Sequence, residues 1–166
     1  MPYEDAARCT LTIGDRDAAY LQQHLSRLIG KSAEIQPLTI DLSKDRVSGQ
    51  RTVQLRFTSY AELADLSPTE PSGFHQSDDD FRKTVEISLD SSDYDNLPLR
   101  VALDYRYLLQ ALHLGFREIC FSSETNPIFC IDNQRRYVCT VLHPINVKHA
   151  TPNALVISTT RQVAAA

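Results

Sequence analysis

Residues 99 to 147 read LRVALDYRYLLQALHLGFREICFSSETNPIFCIDNQRRYVCTVLHPINV, and this stretch decides the fold. Leu99 to Leu103 is an apolar-rich extended run. Asp104 follows it, a side chain suited to accept from the first unpaired N–H groups of a helix. Tyr105, Leu108, Leu109 and Leu112 recur at spacings of three and four, which places them on one helical face, and Gly115 stands near the end of the helix. Three strand-like runs follow: Glu118 to Ser122, Ile128 to Ile131 and Tyr137 to Leu142. Between them lie the turn formers Glu124-Thr125-Asn126-Pro127 and Asp132-Asn133-Gln134. The order is strand, helix, three strands.

Upstream, the same order occurs once more. Arg8 to Ile13 alternates polar and apolar residues like a half-buried strand. Gly14-Asp15 interrupts it, with Asp15 or Asp17 placed to cap a helix. Ala18, Leu21, Leu25 and Leu28 then form an apolar helical stripe that Gly30 stops, with Lys31 at the negative end of the helix dipole. Ile35 to Leu42, Thr52 to Thr58 and Lys83 to Leu89 alternate as strands. Ser67 to Asp80, with two prolines, a glycine and Asp78-Asp79-Asp80, reads as an exposed loop. Asp90, Asp93 and Asp95 sit in a turn-like stretch. Two βαβββ units therefore predict an α+β domain, its two helices packed on antiparallel sheet. From 148 to 166 the chain offers one apolar run, Ala154 to Ile157, and an Ala-rich end, and no element is assigned there.

Composition sets bounds on function. The chain has 166 residues, 17 Lys+Arg, 21 Asp+Glu, a net charge of −4 and 42% hydrophobic residues, which suits one ordinary domain and excludes a chain too polar to fold. No apolar run reaches the length of a membrane span, and the acidic N-terminus lacks a signal-peptide core, so a cytoplasmic protein without membrane contact is expected. Cys9, Cys120, Cys130 and Cys139 form no CxxC pair and lie in apolar segments, as buried reduced thiols do. Mild acidity argues against nucleic-acid binding by bulk charge.

Placement of charge modifies that conclusion. Arg16, Tyr20, Gln23 and Arg27 are spaced four, three and four on the side of the first helix away from its leucines, with Lys31 four further on. Arg106, Gln110 and His113 repeat this spacing on the second. Neither stripe contains a carboxylate. Each is either a solvated helix face or a locally positive surface for phosphate.

The common catalytic signatures are missing from the sequence. The sequence has no Walker loop, GxGxxG, HExxH or GxSxG, and the histidines at 24, 75, 113, 143 and 149 keep no metal-ligand spacing with the cysteines. The three consecutive aspartates follow no calcium-loop pattern. The expectation is a protein that is not an enzyme, with no catalytic residue, metal or cofactor. A Cys–His pair assembled only in space is the remaining enzymatic alternative.

The stretch from Leu99 to Val147 resembles the end of the C-terminal domain of the bacterial sliding clamp, the β subunit of DNA polymerase III. The residues that carry the likeness are Leu103 to Leu112 as helix, Arg117-Glu118-Ile119 and Pro127 to Ile131 as strands, and the terminal run from Tyr137 through Ile145. Cys9 to Leu28 and Lys83 to Leu89 fit earlier elements of that domain. The likeness spans roughly 8–147, giving one DNA-clamp-like domain over 1–147 and an extension over 148–166. It implies a non-enzymatic protein that supports DNA replication or repair by touching duplex backbone without sequence preference and tethering a polymerase. The DNA-facing set would be Arg16, Tyr20, Gln23, Arg27, Lys31, Arg106, Gln110 and His113. It also implies a pocket for a polymerase or clamp-loader peptide at His143, Pro144, Ile145 and Val147. Pro144 and the apolar positions keep the family's type, while His143 and Asn146 replace a methionine and an arginine. One domain would need about six copies joined edge to edge to make a ring, so a homo-oligomer is expected. The alternative is a clamp-derived interaction module that does not encircle DNA.

Overall fold

Pleating explains the first strand directly: in β1 (Cys9–Thr12) Cys9 and Leu11 are buried, while Thr10 and Thr12 face outward. The computed structural model describes residues 7–30, 35–60 and 83–159. After β1 come helix α1 (Asp15–Ile29), β2 (Pro37–Lys44), β3 (Arg51–Ser59), β4 (Lys83–Ser88), β5 (Asp93–Asn96) and β6 (Leu99–Asp104). Helix α2 (Tyr105–His113), β7 (Glu118–Phe121), β8 (Ile128–Ile131), β9 (Arg136–Cys139), a 3-10 turn (Pro144–Asn146) and β10 (Leu155–Ser158) complete the order.

The strands form two five-stranded sheets, β5-β1-β7-β8-β9 and β10-β4-β3-β2-β6. Each sheet takes three strands from one βαβββ unit and the opening strand of the other. Thus β1 lies antiparallel to β7, pairing Leu11 with Ile119, and β6 lies antiparallel to β2, pairing Val101 with Ile40. The architecture is α+β, with α1 and α2 against each other and packed on both sheets through one shared core. Leu21, Leu25 and Leu28 of α1 and Leu108 and Leu112 of α2 meet Leu38, Ile40, Leu55, Phe57, Val101 and Phe121 there. The periodic residues read from the sequence are thus the ones that burial selects.

Three expectations are corrected. Neither Asp15 nor Asp17 caps α1: the N-cap is Gly14, which has no side chain to do so. The hydroxyls of Ser91 and Ser92 substitute, accepting from the N–H groups of Asp17 at 3.3 Å and Gly14 at 3.0 Å. Asp15 stays exposed and pairs with Arg117 at 3.2 Å, whereas Asp17 is fully buried and bonded elsewhere. Second, Asp93–Asn96 is a strand rather than a turn. Its single apolar residue, Tyr94, enters the core opposite Leu11, while Asp93 is held by Arg51 and Asp95 accepts from the N–H of Thr10. Its acidic flanks hide the strand from a pattern reading. Third, the sheet is not wholly antiparallel, because β10 runs parallel to β4.

Residues 148–166, to which sequence pattern assigns no element, supply β10. The chain reaches it by crossing the side of its sheet away from the helices. Leu142 N–H donates to Ala102 O of β6 at 2.7 Å, and Lys148 N–H donates to Thr39 Oγ1 of β2 at 2.7 Å. On the same side of the sheet lies a buried ion cluster. Arg56 joins Asp41 and lies 3.3 Å from Glu86, while Arg100 reaches Asp41 at 3.2 Å. Pleat parity accounts for this polarity. Leu38, Ile40 and Leu42 of β2 face the core, so Thr39 and Asp41 face the other way.

Candidate nucleic-acid interface

Helix α1 turns its apolar stripe inward, which fixes what it turns outward. Arg16, Gln23 and Arg27 are exposed, and neither arginine has a carboxylate partner among the described residues. Tyr20 is half-buried: its ring packs on the core and against His24, with centroids 4.7 Å apart. Burial and the charge of Arg27 hold the His24 imidazole below its ordinary value, so near neutral pH it adds little positive charge. Lys31 lies outside the described residues.

On α2, Arg106, Gln110 and His113 are also exposed. The stripe itself holds no carboxylate, but the N-cap just before it supplies one. Asp104 caps the helix as expected, accepting from the N–H of Arg106 at 3.0 Å. The same carboxylate forks with the Arg106 guanidinium, at 3.0 Å from Nε and 2.5 Å from Nη2. Burial pushes the Asp104 carboxyl upward, but its bonds to Arg106 outweigh this and hold it below the ordinary range. Arg106 therefore brings little net charge to the surface. The missed signal was the spacing of two between Asp104 and Arg106. A cap residue points back over the first turn, where an arginine side chain two positions on can reach it. Of the two exposed helix faces, that of α1 is the more positive, and that of α2 adds hydrogen-bonding groups.

His143, Pro144, Ile145 and Val147 lie together on the 3-10 turn beside β6. His143 Nδ1 accepts from the Ile145 N–H at 3.1 Å and so caps the turn. His143, Pro144 and Ile145 are exposed, Ile145 by 83%, while Val147 is half-buried. Surface clefts are formed elsewhere among the described residues. One of about 550 Å³ is lined by Gly49–Arg51 and Asp90–Asp93, and one of about 340 Å³ by Arg8, Leu97–Leu99 and Ser123–Thr125. Neither contains a residue of the helix stripes or of the turn.

Chemistry finds few footholds. The four cysteines are buried and form no disulfide. Burial, with Asp95 and Cys120 adding to it, pushes the Cys9 thiol up to about 12, and the hydrogen bond with Cys139 drives that of Cys130 upward. Such thiols stay protonated and are poor nucleophiles. Among the described residues no group of three or more His, Cys, Asp or Glu could hold a metal ion. Asp78, Asp79, Asp80 and His75 lie outside them. No helix there is long and apolar enough to cross a membrane.

Solved structures share this fold over most of the chain. A DNA polymerase III β subunit from Eubacterium rectale superposes with a TM-score of 0.56 at 10% identity, over 82% of this chain and 31% of its own. The C. crescentus β sliding clamp gives 0.54 at 16% identity, over 84% and 31%. The DNA polymerase III subunit β of Borrelia burgdorferi gives 0.53 at 13%, over 83% and 31%. This chain has the fold of a sliding-clamp domain. It spans about a third of the length of those structures. Neither a protein-family model nor a curated protein matches the sequence.

Proposed function

We propose that this protein is a non-enzymatic, clamp-like factor in DNA replication or repair. It contacts duplex backbone through the exposed faces of α1 and α2, self-associates into a larger assembly and tethers a polymerase. One observation carries the reading: within a sliding-clamp fold, α1 presents Arg16, Gln23 and Arg27 to solvent, and neither arginine has a carboxylate partner among the described residues. Such a face suits phosphate contacts that ignore base sequence, and it reconciles a net charge of −4 with a nucleic-acid partner. The polymerase or clamp-loader peptide would be taken by the exposed turn at His143, Pro144, Ile145 and Val147. Cytoplasmic residence belongs to the same proposal.

The experiment is a salt titration of duplex affinity for the wild type and for the triple variant Arg16→Gln, Arg27→Gln, Arg106→Gln. Each lost phosphate contact lowers the slope of log K against log salt by about 0.9. Arg16 and Arg27 should account for most of the change. An unchanged slope in a folded triple variant would falsify the DNA reading.

A second reading is supported by two features. The pairing of Arg106 with Asp104 weakens the positive face, and β10 covers one sheet edge. Both suit an interaction module that binds a partner through the exposed turn and does not encircle DNA. The triple arginine variant separates the two, because in a folded protein it loses duplex affinity in the first reading and changes nothing in the second, whereas Ile145→Asp removes partner capture in either.

A further inference from the structure

Strand β10 is the one parallel partner among the described strands. It lies on the side of β4 opposite β3, aligning Leu155 with Val85, Val156 with Glu86, Ile157 with Ile87 and Ser158 with Ser88. An uncovered strand edge is a template for another strand, and here the chain's own C-terminal segment has taken it.

The attachment of β10 is slight. Of its four residues only Ile157 is buried, and Val156 is 63% exposed. A short parallel pair is also weaker per residue than an antiparallel one. Just past the strand, fully buried Thr159 donates through Oγ1 to Asp17 Oδ1 at 2.6 Å and accepts from the Asp90 N–H at 3.3 Å. The other oxygen of Asp17 accepts from Ser91 N–H at 3.0 Å and Ser92 Oγ at 2.6 Å. One buried carboxylate thus ties the strand's end to the first turn of α1 and to the β4–β5 connection. Ile157 and Thr159 are the buried anchors, Leu155 packs partly against the core, and the Ser158 hydroxyl donates to Asp90; the crossing from Leu142 to Ala154 adds two backbone N–H donations to the rest of the sheet, from Leu142 and Lys148.

We propose that β10 is a releasable strap that masks the β4 edge against strand pairing with a second copy of this chain. Release of the Thr159–Asp17 latch opens the edge, and the backbone groups of β4 are then satisfied by an extended strand of the neighbouring copy. This inference rests on the self-association reading above and makes that association conditional on the strap.

Two forms test it, with mass followed by light scattering across a concentration series. The variant Ser88→Cys with Ser158→Cys places thiols at paired positions on adjacent strands, so oxidation clips β10 to β4 and reduction frees it. The native thiols are buried and spared. A chain ending at Ala154 removes the strap, with circular dichroism to confirm that the fold survives. The oxidised clip should need at least tenfold more protein to assemble than its reduced form, and the shortened chain at least tenfold less than the full chain. Should the shortened chain unfold, the clip alone decides. Assembly that is indifferent to the clip sinks the strap and leaves self-association standing. A full-length chain and a folded shortened chain that both stay monomeric sink the two together.

Discussion

Asp104 shows how one side chain can serve two structural needs at once. Its carboxylate caps α2 and also holds Arg106, so the residue that starts the helix subtracts charge from the surface the helix presents. The two roles can be separated. Asn at 104 keeps an oxygen for the cap, since Asn and Asp cap about equally well, and removes the negative charge. Asp104→Asn should lower the melting temperature only slightly, through loss of the ion pair with exposed Arg106, and raise duplex affinity by about threefold at low salt. Fluorescence anisotropy with a labelled duplex reads the change. An unchanged affinity would mean that the α2 face does not meet phosphate.

At the scale of elements, the helices and the long strands were legible from sequence because each buries a periodic set large enough to dominate its neighbours. Leu21, Leu25 and Leu28 point one way on α1, and Val53, Leu55 and Phe57 alternate on β3. Elements decided by distant partners were not legible. β5 has one buried residue, Tyr94, among acidic flanks, and it is a strand only because β1 pairs with it. β10 depends on β4 in the same way. The candidate interface was legible as spacing, but the pairing of Arg106 with Asp104 depends on side-chain reach, which spacing does not report.

The start of α1 is another case of a distant determinant. Gly14 has φ −66°, a conformation open to any residue, so backbone freedom does not call for glycine there. Room does: a Cβ would sit 2.2 Å from the backbone oxygen of Ser91. Gly14→Ala should therefore push away the loop whose serines cap the helix, at a cost of about 1–3 kcal/mol. Urea denaturation measures it, and an unchanged midpoint would show that the loop gives way freely.

Acid sensitivity is spread over the whole molecule, and its most deeply buried contributor, Asp41, lies on the side of the β4-containing sheet that faces away from the helices. Burial raises the Asp41 carboxyl, but Ser43, Arg56 and Arg100 outweigh it and hold the group below its ordinary 3.8. Arg51 draws Asp93 down in the same direction. A carboxylate depressed in the folded state contributes stability above its unfolded pKa and loses it as pH falls through the folded one. Stability should therefore be level above about pH 5 and decline steadily below about pH 4. Thermal melts across that range check the sign. Asp41→Asn should flatten the decline and lower the plateau, since Arg56 then stays buried without its main counter-charge.

The exchange of first strands between the two βαβββ units constrains the order of events as the chain emerges and folds. β1 is made near the beginning, yet its partner β7 follows more than a hundred positions later, with Leu11 waiting for Ile119. The first unit can assemble β2, β3 and β4 alone, but β1 can pair only with β5 until β7 exists, and the β2 edge stays open until β6 does. Neither half is a finished object by itself. The domain should form in one late, cooperative step governed by distant contacts, the regime in which folding is slow.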